Sequence, residues 1–189
     1  MHKIIDETVN PWKVNGSKEI YDNKWIHVTE YDVTNPSGGK GIYGKIHFKN
    51  IAIGVIALDE HNNTYLVGQY RFATDAYSWE IPEGGAPEGE DCLNAAKREL
   101  LEETGLKATG WKEILRMHLS NSVTDEFSIV YLATDLTQHQ AAPEETELLQ
   151  VKKLPFNDVF NKVMQHQITD AITIATVLKI KLLMAEGSL

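Results

Sequence analysis

The chain has 189 residues, 42% of them hydrophobic and 24% charged, which suits one globular domain with a real core. Its net charge of −9 argues against a broad phosphate-tracking nucleic-acid surface, but not against a small anionic substrate, since a bound divalent cation reverses the local field. Cys92 is the only cysteine, so no intrachain disulfide forms and a reducing compartment is expected.

No apolar run approaches the ~20 residues that a membrane helix needs. The start, MHKIIDETVNPW, lacks the apolar stretch of a signal peptide, so a cytoplasmic location is expected. Residues 1–24, broken by Pro11 and Gly16, suit an arm or short strands. IHVTEYDVT (26–34) alternates in the manner of a strand, NPSGGKG (35–41) is a turn, and IYGKIHF (42–48) returns as the second strand of a hairpin. IAIGVIALD (51–59) is rich in β-branched residues and reads as a buried strand, with TYLVGQYRF (64–72) as its partner across an HNN turn. SWEIPEGG (78–85) then delivers the chain to a helix over about 90–104.

Gly105 supplies a left-handed cap for that helix. KEILRMHL (112–119), FSIVYLATDL (127–136) and LQVKKL (149–154) read as strands, separated in the last case by the acidic stretch TQHQAAPEETE (137–147). Two helices close the chain, PFNDVFNKVMQ (155–165) and ITDAITIATVLKIKLLMAE (168–186), with Asp158 and Asp170 near their starts, where negative charge is favoured. Strands and helices mixed in this way indicate an α/β fold with a mixed sheet.

The chemistry concentrates between Gly84 and Leu106, GGAPEGEDCLNAAKRELLEETGL. Helical spacing puts Glu99, Glu102 and Glu103 along one edge, beside an apolar stripe of Leu93, Ala96 and Leu100. Ionised carboxylates crowded on one edge destabilise a bare helix, and an all-oxygen ligand set favours a hard cation. Arg98, four residues before Glu102, is placed to hold one of those carboxylates.

This stretch resembles the Nudix box, G-x5-E-x7-R-E-U-x-E-E-x-G-U with U aliphatic. Gly84, Glu90, Arg98, Glu99, Leu100, Glu102, Glu103, Gly105 and Leu106 fill every fixed position. The resemblance implies an α/β/α sandwich with a mixed central sheet. It also implies a single domain over 1–189, with an N-terminal β arm (1–49) that pairs two copies into a homodimer and a catalytic core (50–189). The implied activity is hydrolysis of a nucleoside diphosphate linked to another moiety, with Mg2+ or Mn2+. Carried over by position, Glu99 and Glu103 are metal ligands, with the backbone carbonyl of Glu83. Glu102 binds a second metal or a metal-bound water, and Gly84, Glu90, Arg98 and Gly105 are structural.

Further stretches resemble the ADP-ribose and nucleoside-diphosphate-sugar pyrophosphatase branch: Gln69-Tyr70-Arg71, Glu80-Ile81-Pro82-x-Gly84 and Ile168-Thr169-Asp170-Ala171. Arg71 is the best phosphate-binding candidate, because a guanidinium grips phosphate oxygens bidentately; a surface salt bridge is its alternative reading. Glu80 and Glu126 join it as substrate-binding candidates. Around Glu126 the branch's Ser-Pro-Gly turn is absent, replaced by Ser120-Asn121-Ser122-Val123, which leaves other nucleotide sugars open. Trp25, with Trp12 and Tyr31, can stack on a base or simply pack. For the general base the resemblance points to a loop glutamate near PEETE (143–147), Glu144 or Glu145, with Glu147 also in reach and Glu102 as the fallback. Two other readings stand beside the nucleotide-sugar enzyme. A hydrolase of capped RNA or dinucleoside polyphosphates calls for a basic track, which the composition disfavours. A non-catalytic nucleotide-sugar sensor calls for lost box carboxylates, whereas here all are present.

Overall fold

The computed structural model describes residues 7–141 and 149–189, which form two compact units. The first comprises the chain up to Lys49 together with Ser120–Asp125, and the second comprises Asn50–Leu119 and Glu126–Leu189.

The first unit is an antiparallel meander of β1 (Lys13–Asp22), β2 (Ile26–Thr34) and β3 (Lys40–Phe48) in the order β1-β2-β3. Asparagines shape both turns. Asn23 Oδ1 accepts from the backbone N–H groups of Trp25 and Ile26, and Asn35 Oδ1 accepts from those of Ser37 and Gly39. The segment Ser120–Asp125 is clipped to β3, where Asp125 takes hydrogen bonds from Lys45 Nζ and Phe48 N and faces His47 Nδ1 at 2.8 Å. Burial works against the ionised form, yet these partners hold the Asp125 carboxyl at about 2. β1 is exposed along its whole length, and Val14, Ile20, Tyr21 and Ile42 of this unit all face solvent.

In the second unit β4 (Asn50–Ala57) is central, because its residues from Ile53 onward are buried on both faces. It pairs antiparallel with β7 (Glu83–Pro87) and parallel with β9 (Phe127–Gln138), and β8 (Leu106–His118) adds antiparallel to β9. The result is a mixed four-stranded sheet, β7-β4-β9-β8. A second sheet has the order β10-β5-β6, from β5 (Asn63–Arg71), β6 (Ala76–Glu80) and β10 (Gln150–Pro155). Two expectations are corrected here. Beyond a single bridge from Leu58 to Thr64, β5 is not the ladder partner of β4, because β7 and β9 already occupy both of its edges. Residues 78–85 are not a plain connection: they end β6 and begin β7, on either side of Ile81-Pro82. Pro82 has no N–H for a ladder, so the break falls there.

Helix α1 (Cys92–Thr104) covers one side of this unit, and α2 (Phe156–Met164) and α3 (Ala171–Ala185) cover the other. Ala95, Ala96 and Leu100 of α1 pack on Ile53, Val55 and Ala133, and the two alanines let the helix sit close to the sheet. Opposite them, Phe156, Val159, Ile172, Val177 and Ile180 pack on Ile56, Leu66, Val130 and Leu132. Each large side chain buried in this way contributes about 1.5–3 kcal/mol. Asp91 caps α1 by accepting from Asn94 N at 2.9 Å, and Gly105 ends it at φ 72°, with its N–H donating to Leu101 O. Among the described residues no helix is long and apolar enough to cross a membrane.

Candidate active site

The box helix delivers its carboxylates to the β6–β7 corner. Glu103 lies four residues after Glu99, so both face the turn that starts at Glu83. Glu103 is 3% exposed, and its Oε2 accepts from Glu83 N at 3.1 Å. Glu99 Oε1 accepts from Gly85 N at 3.2 Å. Gly84 lies between these two anchors, and only a glycine fits there. A Cβ built on it would overlap the carboxyl carbon and both oxygens of Glu99.

Arg98 binds the whole stretch together. Its Nη1 donates to Glu99 Oε1 at 2.7 Å and to Glu102 Oε2 at 3.1 Å. Its Nη2 donates to Glu90 Oε2 at 3.1 Å and to the carbonyl of Gly85 at 3.0 Å. One guanidinium thus joins three carboxylates and the backbone of the glycine turn, a geometry that a lysine cannot reproduce. Among the described residues no three acidic, histidine or cysteine side chains are gathered closely enough to hold a metal ion.

A second group converges from elements far apart in sequence. Arg71, at the end of β5, grips Glu80 of β6 bidentately: its Nε donates to Glu80 Oε1 at 3.0 Å and Oε2 at 3.1 Å, and its Nη2 also reaches Oε2. Glu80 is 4% exposed, so this pair is structural in the state described, while the Arg71 side chain stays 40% exposed. Burial, then repulsion from Asp170 and a hydrogen bond shared with it, pushes the Glu83 carboxyl well above the usual range. Burial and the Asp170 charge push Glu126 up as well, which places the post-box acidic residue in the same field. Glu99 is raised by burial despite the charge of Arg98. Negative charge here exceeds what Arg71 and Arg98 neutralise. That excess, on a purely oxygen donor set, fits a hard divalent cation.

Thr173 is a site residue that pattern reading missed. Fully buried in the first turn of α3, its hydroxyl accepts from Ile81 N at 3.0 Å and donates to Glu83 Oε1 at 3.2 Å. Asp170 caps that helix by accepting from Thr173 N at 2.7 Å. The only sequence signal was the Asp-x-x-Thr spacing of an N-cap, which says nothing of what the hydroxyl touches. Thr173→Val leaves the Ile81 N–H buried without a partner and lowers stability by about 1–3 kcal/mol in urea unfolding.

The remaining candidates are scattered. Trp25 stands 56% exposed at the β1–β2 turn, with Lys24 Nζ over its ring at 4.1 Å. Trp12 packs edge-to-face on Tyr43. Cys92 opens α1 half-buried, and burial pushes its thiol up, so it is no reactive thiolate. Glu144, Glu145 and Glu147 lie outside the described residues.

A family profile described as NUDIX domain matches residues 48–175, and one described as nucleoside diphosphate sugar hydrolase N-terminal domain matches residues 12–46. An ADP-ribose pyrophosphatase of Mycobacterium tuberculosis is 32% identical over 133 residues, which cover 68% of this chain and 64% of that protein. Another, of Bacillus subtilis, is 29% identical over 163 residues, covering 85% of this chain and 88% of the relative. Among solved structures, a crystal structure of an ADP compounds hydrolase superposes with a TM-score of 0.84 over 97% of this chain and 100% of its own, at 17% identity.

Proposed function

The chain belongs to the Nudix family, and from that membership we propose that it hydrolyses the pyrophosphate bond of a nucleoside diphosphate sugar of the ADP-ribose kind. The products are a nucleoside monophosphate and a sugar phosphate. The observation that carries this reading is the box itself: Glu99 and Glu103 sit on either side of the Gly84 turn, with Arg98 tying the turn to Glu90 and Glu102. The matched N-terminal profile and the pyrophosphatase relatives support the nucleotide-sugar substrate class.

Nudix hydrolases generally work with divalent metal ions. We assign Mg2+ or Mn2+ to Glu99 and Glu103 with the Glu83 carbonyl, and Glu102 to a second ion or its water. When bound, the ion neutralises the pyrophosphate and lowers the pKa of the attacking water. The chain's own residues do the rest. Arg98 holds Glu99 and Glu102 in register, and Thr173 and Ile81 fix the corner that presents Glu83. Arg71 is the cation placed to exchange its grip on Glu80 for a phosphate oxygen. A panel of nucleotide sugars assayed with Mg2+ and with EDTA tests this reading. Metal-dependent release of nucleoside monophosphate is expected, whereas release of inorganic phosphate or free sugar alone would contradict it.

The general base is assigned to Glu144 or Glu145, because box carboxylates that hold metal are poorer proton acceptors. The Gln variant of the true base binds substrate and metal normally while kcat falls about 100-fold or more, read by single-turnover kinetics. If Gln variants of Glu144, Glu145 and Glu147 all turn over at the parent rate, the base moves to Glu102. We assign the protein to the cytoplasm and the arm to a homodimer. A bare three-stranded meander exposing Val14, Ile20, Tyr21 and Ile42 leaves apolar surface for a second copy to cover. Light scattering at micromolar concentration checks this, and an active monomer would refute it. We assign Trp25 to stacking on the substrate's nucleobase.

A further inference from the structure

On the α2–α3 side of the second unit, away from the box helix, lies a cavity of about 260 Å³. Which side it opens on follows from strand alternation. Leu66 belongs to the core under α2 and α3, while its neighbour Tyr65 packs with the core under α1. Lys152 is paired with Leu66 across the β10–β5 ladder, and Leu154 stands two residues on, so both share that face. Leu66, Leu154 and Ile168 make an apolar floor, and Trp79 of β6 forms a wall.

The charge around this cavity is unusual for so acidic a chain. Among the described residues Lys152 and Lys162 line it, and no carboxylate does. Among the described residues neither lysine is ion-paired to a carboxylate. Lys152 Nζ rests 3.9 Å from the Trp79 ring centroid, and Lys162 Nζ donates to Gln167 Oε1 at 3.2 Å. The adjacent Lys153, on the opposite face of the same strand, is by contrast consumed by Asp59 at 2.7 Å. A cation over an indole and a bond to a neutral amide are weak engagements, easily exchanged for an anion.

We propose that this cavity is a second ligand site, which takes a small phosphate ester with a short carbon body. Two ammonium groups match the −1.5 to −2 charge, about, of a phosphate monoester near neutral pH, and its three oxygens accept from both. A carboxylate carries only half that charge. Gln167, whose Nε2 donates to Gln165 Oε1 at 3.0 Å, has a second amide N–H to offer, and the carbon body lies against Trp79 and Leu154. At 260 Å³ the cavity falls below the range of about 300–1,000 Å³ for drug-sized ligands, which suits a small ester. Two lining residues are close in sequence to groups of the catalytic corner. Trp79 precedes Glu80, the carboxylate held by Arg71, and Ile168 lies two residues before Asp170, the cap of α3.

The test uses glycerol 3-phosphate as probe, with EDTA present and no substrate, so that it is independent of the pyrophosphatase reading. The readout is the Trp79 indole N–H resonance, assigned by its loss in Trp79→Phe. A saturable shift with one site per chain is expected. It should weaken at least about tenfold in a Lys152→Gln, Lys162→Gln double variant and persist in the corresponding double Arg variant. Inorganic phosphate should bind more weakly, for want of a carbon body. The proposal is overturned if the resonance does not saturate by about 10 mM probe, if the double Gln variant binds equally well, or if inorganic phosphate matches the ester.

Discussion

Glu103→Gln leaves the chain folded and lowers kcat by more than the ~10–100-fold that changes outside the metal's own ligands cost. Glu103 is 3% exposed, and its Oε2 accepts from Glu83 N. A glutamine oxygen can accept that bond at the same length, so the β7 corner and the helix remain. What disappears is a full negative charge at the point where the cation is assigned. The loss therefore falls on the chemistry and not on the fold. Thermal unfolding checks the fold, and kcat in excess Mg2+ checks the chemistry. Near-parent turnover of this variant in excess Mg2+ would remove Glu103 from the metal's ligands.

Arg98→Met is the second large effect, and it runs the other way, through stability. Methionine keeps the length and the helix propensity of arginine but removes the charge. Glu90, Glu99 and Glu102 then face one another without a cation, and the carbonyl of Gly85 loses its donor. Breaking a fully buried pair costs about 3–5 kcal/mol, but this guanidinium is a third exposed, so about 2–3 kcal/mol is expected. The divalent cation proposed above would share two of these carboxylates, Glu99 and Glu102, in the folded chain. The deficit in denaturant midpoint should therefore shrink when Mg2+ is added, and more so than for the parent protein. An equal deficit with and without Mg2+ would show that Arg98 and the ion do not share their partners.

Much of this protein was determined locally and could be read from the sequence. β2 alternates, β4 is a buried β-branched run, and the box helix carries its own stop at Gly105. Each of these is fixed by side chains within a few residues of the element itself. The box is legible for the same reason: helical spacing alone brings Glu99 and Glu103 to one face and puts Arg98 within reach of Glu102. The family follows from those residues.

Other features were decided only when distant segments met. That β4 takes β9 and β7 as neighbours, and leaves β5 to a second sheet, depends on which edges remain open once the chain has folded back. Short strands such as Glu83–Pro87 carry too few residues for a pattern and are strands only because β4 offers them a ladder. The pairing of Arg71 with Glu80, nine residues apart across the β5–β6 hairpin, turns a free-looking cation into a held one. Thr173 reaches Ile81 and Glu83 from about ninety residues away. A hydroxyl's partner is set by the packing of a helix on a corner, and no spacing rule along the chain carries that information.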